Sequence, residues 1–320
     1  VNEPTNHGSL RRAGRLVKRD IRQDRDAGRR QPNAAARSLT ALVPALLIFL
    51  GGCRAGLAPT SHHVRLAGAQ IPVELVASWL HDTREYNFGV EQVGPVYLSQ
   101  HGFQNLAEGA CDIACTDRRL TRREADGLGD LKLQGYRAAF YGFALYVHPD
   151  NPLDCIFAKH LKLIFQRKFT DWNQLGTPYE GPIRLVGPEK STRGGMVLMR
   201  QANIWFDTPA WETFETDVEI VDAVAADPYA LGFASIGFDQ DARYVGLRMR
   251  RESPPAFPSL EEIESERYGL AKVIYLYMPA ETSPAAQAVL DYLFSEDGRE
   301  SMESTNVWSI PFDRATVESP

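Results

Sequence analysis

Gly109-Ala110-Cys111-Asp112-Ile113-Ala114-Cys115-Thr116-Asp117-Arg118-Arg119-Leu120-Thr121 is the stretch on which the reading of this chain turns. Its small apolar residues from Cys111 to Ala114 read as a short strand that ends in a polar turn. Just before it, Gly102 to Gly109 reads as a short helix bounded by glycines. Working outward, Val64 to Ala67 forms a strand closed by Gly68, and Asn87 to Val93 is a second extended stretch. Between them the apolar positions 72, 73, 75, 76, 79 and 80 suit a helix with Pro72 in its first turn. Ala138 to Val147 is apolar throughout, as a buried central strand is. The alternation continues through His160–Phe165, Ile183–Gly187, Met196–Ala202, Ala230–Ala234 and Val273–Tyr277. A final helix runs from Pro284 to Ser295 and closes near Gly298. This succession predicts an α/β fold with a mainly parallel sheet.

The first 53 residues read differently. Residues 1–37 carry ten Lys/Arg against four acidic residues and show no apolar periodicity, as in a disordered basic segment or a start extended too far upstream. Arg37 then leads into an apolar run from Leu39 that closes at Leu50-Gly51-Gly52-Cys53. About a dozen residues are too few to span a ~30 Å hydrocarbon core comfortably. Charge, length and junction together resemble a bacterial lipoprotein signal, which implies that Cys53 is lipidated and becomes the new N-terminus. The product would be exported, periplasmic or at the cell surface, and held to a membrane by its lipid. Residues 54–62 read as a tether, with Thr60 to His63 included in it.

Charge narrows the partners. The chain carries −6 overall, yet residues 1–52 contribute +6, which leaves −12 on the remainder. So acidic a domain does not suit nucleic acid. An anionic ligand would be drawn by local donors and helix ends instead.

The order of the segments resembles the substrate-binding proteins of phosphate-type ABC transporters, over roughly residues 64–312. The 109–121 stretch is similar to that family's Gly-x-x-Asp-Ile-Ala-x-Ser-Ser/Asp-Arg-x-Leu segment. Leu163-Ile164-Phe165 with Lys168 and Trp172, Asp227 to Phe233, Tyr268 to Tyr277, and Tyr292 to Gly298 match in the same order. The resemblance implies a two-lobed type II periplasmic-binding fold with a hinge, lobe one at 63–146 plus 243–320 and lobe two at 147–242. It implies capture of an oxyanion, inorganic phosphate first, by a monomer that serves an ABC permease. The alternative within the same fold is a surface lipoprotein acting as a sensor or interaction protein, or one that takes another anion.

Ligands of open α/β sheets sit where strand ends meet helix N-termini. Four loops fit that description: Gly68-Ala69-Gln70, Leu98-Ser99-Gln100, Thr116-Asp117-Arg118 and Lys190-Ser191-Thr192-Arg193. Ser99, Thr116, Ser191 and Thr192 offer hydroxyls; Arg118, Lys190 and Arg193 offer charge; Asp117 offers a carboxylate that accepts from a protonated oxyanion. Ordinary helix capping by Ser or Thr is the competing reading of each loop. The loops also depart from the family pattern. Ala69 and Gln70 replace hydroxyl residues, and Pro188-Glu189-Lys190 lacks the usual arginine.

Enzyme and cofactor readings find little support. There is no Gly-x-Ser-x-Gly elbow and no Walker loop. His81 and Glu85 have helical metal-ligand spacing but end a helix, and Glu261, Glu262, Glu264 and Glu266 read as a solvated acidic face. Cys111 and Cys115 lie ~13 Å apart along a strand, too far to bridge, so they read as buried thiols.

Overall fold

The computed structural model describes residues 61–81, 83, 86–95, 97–189, 211–238 and 241–317. The chain divides between Pro59 and Thr60, and the fold below is that of the second unit. Cys53 and the 190–193 loop lie outside the described residues, as does the 196–202 helix reading.

β1 (Ser61–Gly68) runs into α1 (Gln70–His81), then β2 (Asn87–Gln92), α2 (Ser99–Ala107) and β3 (Ile113–Thr116). β2 and β3 both pair in parallel with β1, with Leu66 opposite Gln92 on one side and Ile113 on the other. The helical periodicity of α1 buries Pro72, Val73, Leu75, Val76, Trp79 and Leu80 against this sheet. Next come α3 (Arg122–Gly127), the long strand β4 (Leu133–Val147), β5 (Cys155–Phe157), α4 (Ala158–Phe165), β6 (Arg184–Pro188) and β7 (Glu212–Phe214). α5 (Asp217–Ala226), β8 (Ala230–Ser235), β9 (Arg243–Tyr244), β10 (Gly246–Arg248) and α6 (Leu260–Glu264) follow. The chain returns through β11 (Ala271–Pro279), α7 (Pro284–Leu293), α8 (Glu296–Ser304), β12 (Trp308–Ser309) and β13 (Thr316–Val317).

β4 joins two half-sheets in the strand order β2-β1-β3-β11-β4-β8-β6-β7. Its residues 133–142 pair with β11, and residues 143–147 pair with β8. Gly142 sits at the change-over with φ +154°, where a Cβ would lie 2.4 Å from the Cα of Ala271. Only glycine fits there. One apolar core lies under α1 and α7 and includes Val73, Trp79, Ile113, Val289 and Leu293. The other follows β4 from Phe103 and Tyr277 to Phe165, Trp172 and Phe233.

Several expectations need correction. The sheet is mixed, because β4 and β11 run antiparallel to their neighbours at its centre; the parallel pairs are β1 with β2 and β3, and β6 with β7 and β8. Ser61 to His63 are no tether but the first residues of β1, held by parallel pairing to Asn87–Gly89. The β3 strand is shifted two residues onward, to Ile113–Thr116, because Asp112 turns back to Arg65. Gly298 does not close the last helix. Ser295 accepts from the Gly298 N–H and starts α8, and Gly298 nests against Leu293, where a Cβ would meet the Tyr292 carbonyl at 2.1 Å.

Candidate functional site

Three of the four loops come together at the carboxyl ends of β1 and β3. Gly68 has φ +132° and sits so close to β3 that a Cβ would lie 2.1 Å from the Cys115 carbonyl oxygen. The next amide, Ala69 N–H, donates to that same oxygen at 2.9 Å. α2 closes over the junction through Gly102, whose Cβ position is 3.1 Å from the Gly68 Cα. The N-termini of α1 and α2, with their positive helix-dipole ends, are thereby brought to one place.

Ser99, only 3% exposed, links α2 to the third loop. Its hydroxyl donates to Asp117 Oδ1 at 2.6 Å and accepts from the Asp117 N–H at 3.1 Å. Ser99 does not cap its own helix: Leu98 is the N-cap and makes no side-chain capping bond. The competing capping reading therefore fails at this loop. Asp117 is set on the wall of a cavity of about 340 Å³ with Arg119, Lys272 and Tyr275. A larger cavity of about 710 Å³ lies elsewhere. It runs along the flank of α1 from Ile71 to Ser78, past Gly142, to Asp217, Ser235 and Asn306.

The remaining predicted residues are engaged locally. Thr116 is fully buried and donates to the Arg118 carbonyl at 2.9 Å, so it shapes the turn. Gln70 donates to Glu74 at 2.9 Å across one helical turn. Arg118 grips Glu124 through two nitrogens at 2.8 and 2.7 Å and lies 5.7 Å from the Phe103 ring. The Arg118 guanidinium holds the Glu124 carboxyl down to about 2, helped by Thr121 against the opposing effect of burial. Its bidentate face, read as open to an oxyanion, is met by the protein's own carboxylate. Glu124 went unread in the sequence, although Thr121-Arg122-Arg123-Glu124 carries the capping-box signal that marks it.

Asp112 of the same motif is structural. Burial raises its carboxyl, but hydrogen bonds from the Arg65 side chain and backbone outweigh that and leave it below the usual range. Cys111 and Cys115 are buried free thiols, and desolvation pushes Cys111 up to about 12. The acidic run is not simply solvated: Glu264 meets Arg137 at 2.6 Å, and Glu262 meets Arg267 at 3.0 Å. Among the described residues no group of three His, Cys, Asp or Glu side chains is placed to hold a metal. Nor is any described helix long and apolar enough to cross a membrane.

Two α/β halves joined through one continuous strand, with helix N-termini converging at strand ends, define the two-lobed, hinged fold of the type II periplasmic binding proteins. The chain belongs to the family described as the PBP superfamily domain, whose model matches residues 54–297. It is 25% identical over 201 residues to the phosphate-binding protein PstS of Bacillus subtilis, covering 63% of this chain and 65% of that protein, just under two thirds of the relative's length. Among solved structures it is similar to a possible phosphate binding protein from Planctomyces limnophilus, with a TM-score of 0.59 at 17% identity over 78% of this chain and 94% of the other. PstS from Borrelia burgdorferi matches with a TM-score of 0.53 at 15% identity, over 78% and 99%. Identities this low attest to the fold. The resemblance to the phosphate-type substrate-binding proteins, read from the order of the motifs, holds on the family match and the Bacillus subtilis relative.

Proposed function

We propose that this protein is an extracytoplasmic solute-binding protein that captures an oxyanion, inorganic phosphate first, and delivers it to an ABC permease. The observation that carries the reading is the meeting of Gly68–Gln70, Ser99 and Asp117 at two helix N-termini. The dipoles and backbone N–H groups of helix N-termini favour an anion there, and the Asp117 carboxylate supplies an acceptor to a protonated one. Phosphate keeps a proton near neutral pH, with a second pKa of about 6–7 as for phosphoesters. Sulfate has none to give, so a carboxylate facing it meets only lone pairs and a like charge.

The sequence adds the setting. Lipidation at Cys53 would hold the protein at a membrane surface, and Lys190 or Arg193 is the candidate from sequence to neutralise the ligand, since Arg118 is committed to Glu124. We assign the lobes as 63–146 with 243–320, and 147–242, closing on the ligand by hinge bending about β4. The role is capture, with no catalytic residue assigned. A different oxyanion is the second reading, favoured by Ala69 and Gln70 standing where the resembling family has hydroxyls.

A thermal-shift panel of oxyanions on residues 54–320 tests both readings. Phosphate at a hundredfold over Kd adds ~2.7 kcal/mol, which is roughly 5–10 °C in midpoint for a chain this size. A shift with phosphate and none with sulfate supports the first reading. A shift with another anion alone selects the second, and no shift with any oxyanion overturns both.

A further inference from the structure

The segment that follows α8 belongs to one half-sheet but fastens to the other. β12 pairs with Ala139 and Phe140 in the first half of β4, and the Trp308 indole stacks on Phe140 with the planes 12° apart. From that base two side chains reach across. Asn306 Nδ2 donates to Asp217 Oδ2 at 2.8 Å, at the first turn of α5. Trp308 Nε1 donates to the Ile236 carbonyl at 2.7 Å, in the turn after β8. The indole also packs against Gly237, where a Cβ would fall 1.8 Å from its ring. Asp217, Ser235, Phe238 and Asn306 all line the larger cavity, so the Asn306–Asp217 contact borders the space between the halves.

The chemistry suits a contact made to open and close. Asp217 Oδ1 accepts from the Ser235 N–H at 2.9 Å within its own half, so its carboxylate stays oriented when Asn306 leaves. Asn306 is exposed and Asp217 half-buried, so water takes the place of the amide on the carboxylate once the cleft opens. Asn306 has φ +57°, which aims its amide across the gap from the end of α8.

We propose that Asn306 and Trp308 form a clasp between the halves that is made only when the cleft is closed, and that it sets ligand affinity by adding to the closed population. The clasp rests on the capture reading above. Both residues are positioning residues: neither needs to touch the ligand. If closure is required for tight binding, a fall in the closed fraction raises the apparent Kd in proportion.

Asn306→Gly tests this cleanly, because glycine accepts φ +57° and only the amide is lost. Trp308→Phe is the second variant, keeping the ring and deleting the donor. Each is measured with inorganic phosphate by calorimetry and stopped-flow, and by small-angle scattering with and without phosphate. The clasp predicts an apparent Kd raised about 3- to 10-fold, carried by faster dissociation at unchanged association. It also predicts a larger radius of gyration without ligand. Unchanged affinity and unchanged scattering in both folded variants overturn it. If the parent binds no phosphate, the phosphate reading fails on that result alone. Scattering then decides the clasp separately: expansion of the variants supports it, and identical curves remove it.

Discussion

Two helices in this molecule begin with the same four-residue device, and the two beginnings behave differently. Thr121-Arg122-Arg123-Glu124 opens α3 and Thr216-Asp217-Val218-Glu219 opens α5; in each the threonine hydroxyl accepts from the backbone of the glutamate and the glutamate accepts from the backbone of the threonine. At α3 the glutamate is also gripped by Arg118, with side-chain exposures of 32% and 20% for the pair. At α5 no cation among the described residues pairs with Glu219, and the long-range tie falls to the neighbouring Asp217. Neutral donors hold that carboxylate, Ser235 from β8 and Asn306 from beyond α8. One corner is closed by an ion pair, the other by hydrogen bonds to uncharged groups. The local motif is shared; the long-range partner decides the electrostatics.

The largest effect expected of this difference is on stability. Arg118→Ala leaves Glu124 partly enclosed without its counter-ion and should cost roughly 2–4 kcal/mol in urea unfolding at neutral pH, a discount on the 3–5 kcal/mol of fully buried pairs. Glu219→Gln, which breaks no ion pair, should cost under about 1 kcal/mol. Equal costs at the two corners would erase the distinction between them.

Acid should pull the corners apart in opposite directions. Glu124 is held at about 2, below the ~4.3 of an unfolded chain. Its contribution is therefore complete above about pH 4.3 and drains away as the pH falls toward 2. Asp217 goes the other way: enclosure pushes its carboxyl up, against the lowering effect of the Ser235 N–H and hydroxyl. A raised carboxyl costs stability as the pH rises through its folded value, and that cost is relieved below the unfolded value of about 3.9. Glu124→Gln should therefore lose its penalty on acidification. Asp217→Asn should be the more favourable, relative to the parent, at neutral pH than in acid. Unfolding midpoints from pH 7 to pH 2.5 check both slopes, and slopes of the same sign would refute the assignment.

Selectivity is the next effect in size. Asp117 is held by the Ser99 hydroxyl, a neutral donor, as Asp217 is held by Ser235. On the proposed function, its charge acts on the ligand. Asp117→Asn should narrow the phosphate-to-sulfate affinity ratio about tenfold or more, mainly by admitting sulfate. Calorimetry giving the same ratio in parent and variant would take Asp117 out of the site.

How much of this was legible follows from range. The β-α alternation, the apolar stripe of α1 and the order of the family motifs all live in local sequence, and the structure carries them. Ser99 and Asp117 were readable as members of loops but not as partners, since an 18-residue separation leaves no periodic mark. Arg118 was read as a free cation because its partner, six residues on, lies outside the i+3 and i+4 spacing of helix pairs. The Asn306–Asp217 tie spans 89 residues and two half-sheets, and no local rule points to it. Neither did composition reveal the mixed sheet: β4 and β11 are apolar like parallel strands because both faces are covered.

The smallest effect is the most direct test of whether the two corners share a local device at all. A Thr N-cap replaced by Ala costs ~1 kcal/mol, within a range of about 0.5–2. If the capping box acts alone, Thr121→Ala and Thr216→Ala should cost the same. The geometry argues for a surplus at α3. The Thr121 hydroxyl donates to Glu124 Oε2 at 2.6 Å, the same oxygen that Arg118 reaches at 2.8 Å. Losing the hydroxyl frees the carboxylate to rotate and so weakens the ion pair beside it. A double-mutant cycle isolates that term: Thr121→Ala in the parent and in Arg118→Ala, beside Thr216→Ala in the same two backgrounds. Coupling of about 0.5–1 kcal/mol is expected for the first pair and none for the second, whose residues share no partner. Additive costs in both cycles would mean that the box and the ion pair at α3 are independent, and that Arg118 rather than the cap holds that corner.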